Sequence, residues 1–291
     1  MRIFLAGGVS GNLKPAWSRT AKRPDMSLKA LTEELQNESF LAGGESRHFL
    51  HEIASPIKEQ IKSHKPYILE SFYHADNDTE RLLPLFGDFM LDSGAFTFMQ
   101  DNGSRLDWDE YIERYAAFIN RNNIEKFFEL DIDYVVGCEK VKEYRRKIET
   151  LTGKQPIPVW HKIRGVAEFK NLCDEYPYVA IGASGVNEDS TWTRQKPEVL
   201  EHFITTAHQR GAKIHGLGFT RINLLKQLHF DSVDSTAWTT GNRFGFIYKF
   251  TGNTMIKIDC PKGKRLGDSR KVALINYTEW IKFQKYAEIY L

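Results

Sequence analysis

Three stretches of this sequence place carboxylates where an apolar run gives way to small or polar residues. They are LDSGAF with Asp92, ELDID with Asp131 and Asp133, and FDSVDSTAW with Asp231 and Asp234. Three further runs end on His161-Lys162, on Gly182-Ala183-Ser184-Gly185 and on His215-Gly216-Leu217-Gly218. Taken singly, each has an ordinary reading. An aspartate after a strand caps a helix or turn, a histidine satisfies a buried hydrogen bond, and glycines permit tight turns. Gathered at one place they say more, because neighbouring acids repel one another and lose solvation, a cost that a working site offsets. Two chemistries suit such a cluster. One acid could attack a sugar carbon while another moves protons at the glycosidic bond. Alternatively, the acids could hold a hard cation such as magnesium. Spacing leaves both open. GGVSGN, after the first apolar run, has the small residues of an anion-binding nest but lacks the Lys-Ser/Thr ending of a phosphate loop.

The elements that must position these residues are short β-rich runs, most of them followed by a helical stretch. They cover 2–6, 67–72, 88–94, 126–132, 157–163, 178–184, 213–219 and 230–236. Eight such runs predict an α/β chain folded as a (β/α)8 TIM barrel, whose active sites lie at the C-terminal strand ends. The clearest helix spans 107–122, where Trp108, Tyr111, Ile112, Tyr115, Phe118 and Ile119 recur at helical spacing behind an Asp107 N-cap. Weaker helical patterns cover 139–150, 166–175, 196–210, 221–228 and the tail 276–291. No Pro/Gly-rich linker divides the chain, so one domain is expected, with an irregular insertion at 18–48.

Bulk properties set outer limits. The chain has 291 residues, 41% hydrophobic and 13% aromatic, enough for a large core. With 40 basic and 38 acidic residues, a net charge of +2 does not by itself signal nucleic acid, so any phosphate-binding surface must be local. The candidate patch is Lys257, Lys262, Lys264, Arg265, Arg270 and Lys271, with Arg19, Lys22 and Arg23 second; an ordinary solvated charged face fits both as well. Cys138, Cys173 and Cys260 stand far apart and form no CxxC pair, which excludes a zinc ribbon or disulfide framework and fits a reducing cytoplasm. No stretch approaches the roughly 20 apolar residues of a membrane span, and the N-terminal apolar run is too short for a signal peptide.

In order and rough distance, the runs over 88–238 resemble the queuine and archaeosine tRNA-guanine transglycosylases. LDSGAF is similar to that family's DSG-small-aromatic signature, ELD at 129–131 to its fourth-strand aspartate, and AIGASG to its AIGG strand. HGLGF is similar to its seventh strand, and HFDSVDSTAW to its nucleophile segment. The resemblance implies exchange of guanine for a 7-deazaguanine, a preQ0- or preQ1-like free base, with no cofactor and no metal. Asp234 would be the nucleophile, standing 16 positions after Gly218, with Asp231 the alternate. Asp92 would move protons. Asp131 would read the guanine-like edge with Asp133 orienting it, Phe96 and His215 would close on the base, and Ser93, Gly94, Gly182, Ala183 and Ser184 would line its pocket. His161 stands nearest to the place of the family's fifth-strand glutamine.

Two departures bear on the polymer. The CxCxxC…H zinc site of the tRNA enzymes is missing, with only Cys260 in that region, and the chain is shorter. A compact zinc-free pattern is similar to the bacterial and phage branch that modifies DNA, which favours DNA over tRNA. A base in duplex must then be flipped out, and a helper protein that opens the duplex is a possible partner. A barrel hydrolase and a non-catalytic nucleic-acid-binding subunit are the rival readings.

Overall fold

The computed structural model describes residues 1–7, 65–75, 77–94, 106–182, 196–219, 222–260 and 269–291. Its centre is a curled, wholly parallel seven-stranded sheet, an open TIM-barrel-like arrangement. The strands are β1 (Arg2–Ala6), β2 (Tyr67–Ser71), β3 (Asp88–Asp92), β4 (Val159–Trp160), β5 (Tyr178–Gly182), β6 (Lys213–Leu217) and β7 (Ser232–Ser235). Their order is β3-β2-β1-β7-β6-β5-β4. The helices are α1 (Asn77–Leu82), α2 (Trp108–Arg121), α3 (Asp133–Val136), α4 (Cys138–Thr152), α5 (Gly165–Glu175), α6 (Pro197–Gln209), α7 (Ile222–Leu225), α8 (Ala237–Phe244) and α9 (Ser269–Tyr290). An antiparallel hairpin that the strand pattern did not suggest, β8 (Phe246–Phe250) with β9 (Met255–Asp259), follows α8.

Alternation along the strands explains the layers. Side chains of one parity, Phe4, Ala6, Tyr67, Leu69, Met90, Phe128, Ile157, Val159 and Ala180, form a single apolar cluster on the inner face. Those of the other parity, including Ile3, Leu5, Ile68, Trp160, Val179, Ile181, Ile214 and Val233, pack with residues of α5, α6 and α9. Leu91 and Phe127 pack with Tyr111, Ile112, Tyr115 and Ile119 of α2. The α2 start is as expected: the Asp107 carboxylate accepts from the amides of Asp109 and Glu110 at 3.0 and 3.1 Å.

One expected strand is much reduced. Of 126–132, only Phe127 and Phe128 pair, through single parallel bridges to Leu91 on one side and Ile157 on the other. The neighbouring run is short as well, since Pro156 and Pro158 flank Ile157 and remove backbone donors. Side chains replace the lost rungs. The Val159 amide donates 2.6 Å to the Glu129 carboxylate, and the Tyr115 hydroxyl lies 2.9 Å from the Phe128 carbonyl and 3.1 Å from that of Leu91. A helix side chain thus ties β3 to the two-residue bridge.

The tail helix begins earlier than expected, and its polar residues serve backbone. Gln284 donates to the carbonyls of Ile3 and Tyr67, each at 2.7 Å, while Asn276 and Glu279 accept from the amides of Tyr248 and Phe250. The 18–48 insertion lies outside the described residues. No helix of the described residues is long and apolar enough to cross a membrane.

Tyr115 is fully buried. Tyr115→Phe should therefore lower unfolding stability by about 1–3 kcal/mol, because two buried carbonyls lose a shared donor. Urea denaturation of both proteins measures this.

Candidate active site at the C-terminal strand ends

Following the inner-face parity to the C-terminal ends of the strands leads from Met90 to Asp92, from Val159 to His161, from Ala180 to Gly182 and from Ser232 to Asp234. The DSG run has a physical explanation. The Asp92 carboxylate accepts from the Gly94 amide at 3.0 Å, closing a turn over the end of β3. Ser93 is buried and its carbonyl accepts from Tyr111. Gly94 has φ +74°, and a β-carbon there would lie 2.7 Å from both Ser71 Oγ and Tyr73 Cβ, so only glycine fits. Loss of hydration pushes the Asp92 pKa up to about 7. The amides of Gly94 and Ser93 oppose that rise, and the charges of Asp131 and Asp234 add to it, so these three carboxylates share one field.

Asp234 lives differently. Its Oδ1 accepts from the Gly218 amide at 2.6 Å and faces His215 Nε2 at 3.3 Å. Both contacts fall on the same oxygen, and among the described residues Oδ2 has no hydrogen-bond partner. The positive φ of Gly218, +64°, turns its amide toward the carboxylate. Asp231, the alternate, is at the opposite end of β7. It accepts from the Ile214 amide and from His208, and lines a cavity at the N-terminal strand ends. Three residues along a strand reverse the face and carry the side chain to the other end of the sheet, so the structure does not bring Asp231 to the site.

Asp131 meets His161 Nε2 in a short contact, and the histidine ring fills the space that a β-carbon on Gly182 would need. Gly182 therefore works by leaving room for His161. Asp133 does sit near Asp131, but not through strand alternation, because the backbone leaves the sheet after Phe128 and Asp133 opens α3. Both its oxygens are held by Arg164, at 2.8 and 2.7 Å, and Arg164 also reaches Glu129 at 2.8 Å. Arg145 approaches the second oxygen of Glu129 at 3.2 Å. Burial raises the Glu129 pKa, while the charges of Arg164 and Arg145 oppose that shift.

This buried network went unseen in the sequence; the acid of ELDID and the arginine of HKIRG were its only trace. Ligand atoms of Asp131, Asp133 and His161 lie within 4.8 Å of one another, a set that could hold a metal ion. The two bonds from Arg164 already engage both oxygens of Asp133 and place a positive charge beside that set.

His215 lies beneath the surface of the site. It is wholly buried one layer beneath Asp234, its ring beside Phe4 and Phe128 at 6.3 and 5.3 Å. Phe96, Ala183, Ser184, Lys262, Lys264, Arg265, Arg19, Lys22 and Arg23 lie outside the described residues. Arg270 and Lys271 fall in the first turn of α9. Lys257, on β9, sits 3.9 Å above the Phe246 ring and pairs with Asp259 at 3.5 Å. Compared with known proteins, the chain matches no family model and no curated protein.

Two outcomes follow from these environments. Arg164→Met should destabilise by about 3–5 kcal/mol, since it leaves Glu129 and Asp133 buried without their shared counter-charge; thermal and urea unfolding report it. For Asp92 the folded pKa exceeds the unfolded one, so the unfolded state loses its proton first and stability falls as pH rises from about 4 to 7. Asp92→Asn should accordingly be more stable than the parent at pH 8, by on the order of 2–4 kcal/mol, with the difference vanishing near pH 4. Urea curves across that range test the sign.

Proposed function

We propose that this chain is a guanine transglycosylase that exchanges guanine in nucleic acid, DNA in preference to tRNA, for a free 7-deazaguanine. The observation that carries the reading is the pairing of two aspartates in different environments at one end of the sheet. Loss of hydration pushes the Asp92 pKa up to about 7, whereas Asp234 has one oxygen that accepts from the Gly218 amide and faces His215. Glycosidic exchange needs this division between a proton carrier and a nucleophile. The finer fold belongs to the same proposal: the bridges of Phe127 and Phe128 supply the position of a fourth strand and close the sheet as a (β/α)8 barrel.

In the first step, Asp234 Oδ2 bonds to the anomeric carbon as the bond from that carbon to guanine breaks, and the Asp92 proton passes to the departing base. In the second, the incoming base bonds to the same carbon, its ring N–H proton returns to Asp92, and the ester to Asp234 breaks. One glycosidic bond replaces another, so no outside source of energy is required. Asp131, oriented by His161, accepts from the base's N1–H and exocyclic amine, a bidentate match for a carboxylate.

Incubation with labelled guanine and either DNA or tRNA, followed by denaturing electrophoresis, tests this. Label should enter DNA, and Asp234→Asn should abolish incorporation together with a denaturant-stable protein–DNA adduct. Entry into tRNA alone would keep the chemistry and change the polymer. Base release without exchange would point to a hydrolase, and binding without adduct to a non-catalytic subunit.

A further inference from the structure

Beneath Asp234 lies a file of hydrogen-bonding side chains running through the interior of the sheet. His215 Nε2 faces Asp234 Oδ1, its Nδ1 faces the Ser232 hydroxyl, and that hydroxyl meets the Tyr178 hydroxyl. His215 has no exposed surface and Ser232 almost none. Tyr178, at the start of β5, lines a cavity of about 360 Å3 at the N-terminal strand ends together with Arg2, Asp88 and Asp231. The file thus connects the two ends of the sheet.

With a neutral ring and an ionised aspartate, counting protons gives it one direction. The serine hydroxyl has one hydrogen and two neighbours. If it donated to Tyr178, Nδ1 would have to carry the ring proton, and a neutral ring would then turn a bare nitrogen lone pair toward the Asp234 carboxylate. At such burial that arrangement is repulsive and leaves the Nε2 side unsatisfied. One order gives every group a partner with a neutral ring and an ionised aspartate. Tyr178 donates to Ser232, Ser232 donates to Nδ1, and Nε2–H donates to Asp234.

We propose that Tyr178, Ser232 and His215 are positioning residues whose chain of donors holds Asp234 Oδ1 and thereby presents Oδ2 to the sugar; this rests on the reading of Asp234 as nucleophile. None of the three touches substrate. The inner-face position of a histidine and a serine in an otherwise apolar cluster is what the arrangement accounts for, since each would otherwise be a buried polar group in place of a valine or leucine.

The first test is nitrogen NMR of the ring-labelled histidines in the full chain near pH 7. His215 should be the Nε2–H tautomer; an Nδ1–H ring or an imidazolium would overturn the chain of donors. The second is single-turnover adduct formation. Ser232→Ala should slow it roughly tenfold, the loss expected when a bond supporting a charged group goes. Tyr178→Phe, which removes one partly buried oxygen and keeps the ring, should slow it less, with KM for the incoming base unchanged in both. Parental rates in both variants would overturn the proposal. Should Ser232→Ala fail to fold, Tyr178→Phe and the tautomer decide. Absence of any adduct in the parent chain, beside an Nε2–H tautomer, would overturn the transglycosylase reading and leave the hydrogen-bond order standing.

Discussion

A single guanidinium organises the side of the site that carries Asp131 and His161. Arg164 is enclosed between Glu129 and Asp133, in a place where the chain has left the sheet and has no backbone ladder to hold it. Each of these charges would be prohibitive alone; together, with the Val159 amide sharing Glu129 Oε1 with Arg164 and Arg145 on Oε2, they become a scaffold. Asp131 is strung between its two fixed ends, Glu129 and Asp133, and is pressed against His161, which in turn owes its place to the missing side chain of Gly182. The position of Asp131 is thus set by its neighbours in chain and in space.

The other half of the site shows how one residue type acquires two characters. Asp92 and Asp234 both end inner-face strand positions, and both receive a backbone amide. Asp92 loses hydration within the field of two other acids. Asp234 meets a second polar group from below, His215, beside the Gly218 amide. Environment, more than identity, separates the two aspartates.

What the sequence made legible follows from the reach of each signal. Strand and helix positions were readable because alternation and helical spacing are local, and the ends of β1 and α2 agree with expectation. The convergence of Asp92, Asp131 and Asp234 was readable because parallel strands bring their C-terminal ends to one side. The route that brings Asp133 to the site and the depth of His215 were not. Asp133 lies near Asp131 as strand parity suggested, but in a segment whose strand stops at Phe128, and His215 is wholly buried beneath Asp234. The β8–β9 hairpin was hidden because its outer positions mix charge and hydrophobicity, and its polar anchors, Asn276 and Glu279, lie some thirty residues on in α9.

The two-residue bridge at Phe127–Phe128 also has a mechanical meaning. Five-residue pairings such as β2 with β3 or β5 with β6 resist sliding through several rungs, whereas this seam is held by single bridges and two side chains. The seam is therefore the least continuous pairing among the described strands, and it lies along the line that separates Asp92 from Asp131 and His161. A site with one weakly paired wall can change its width there without breaking any of the five-residue pairings.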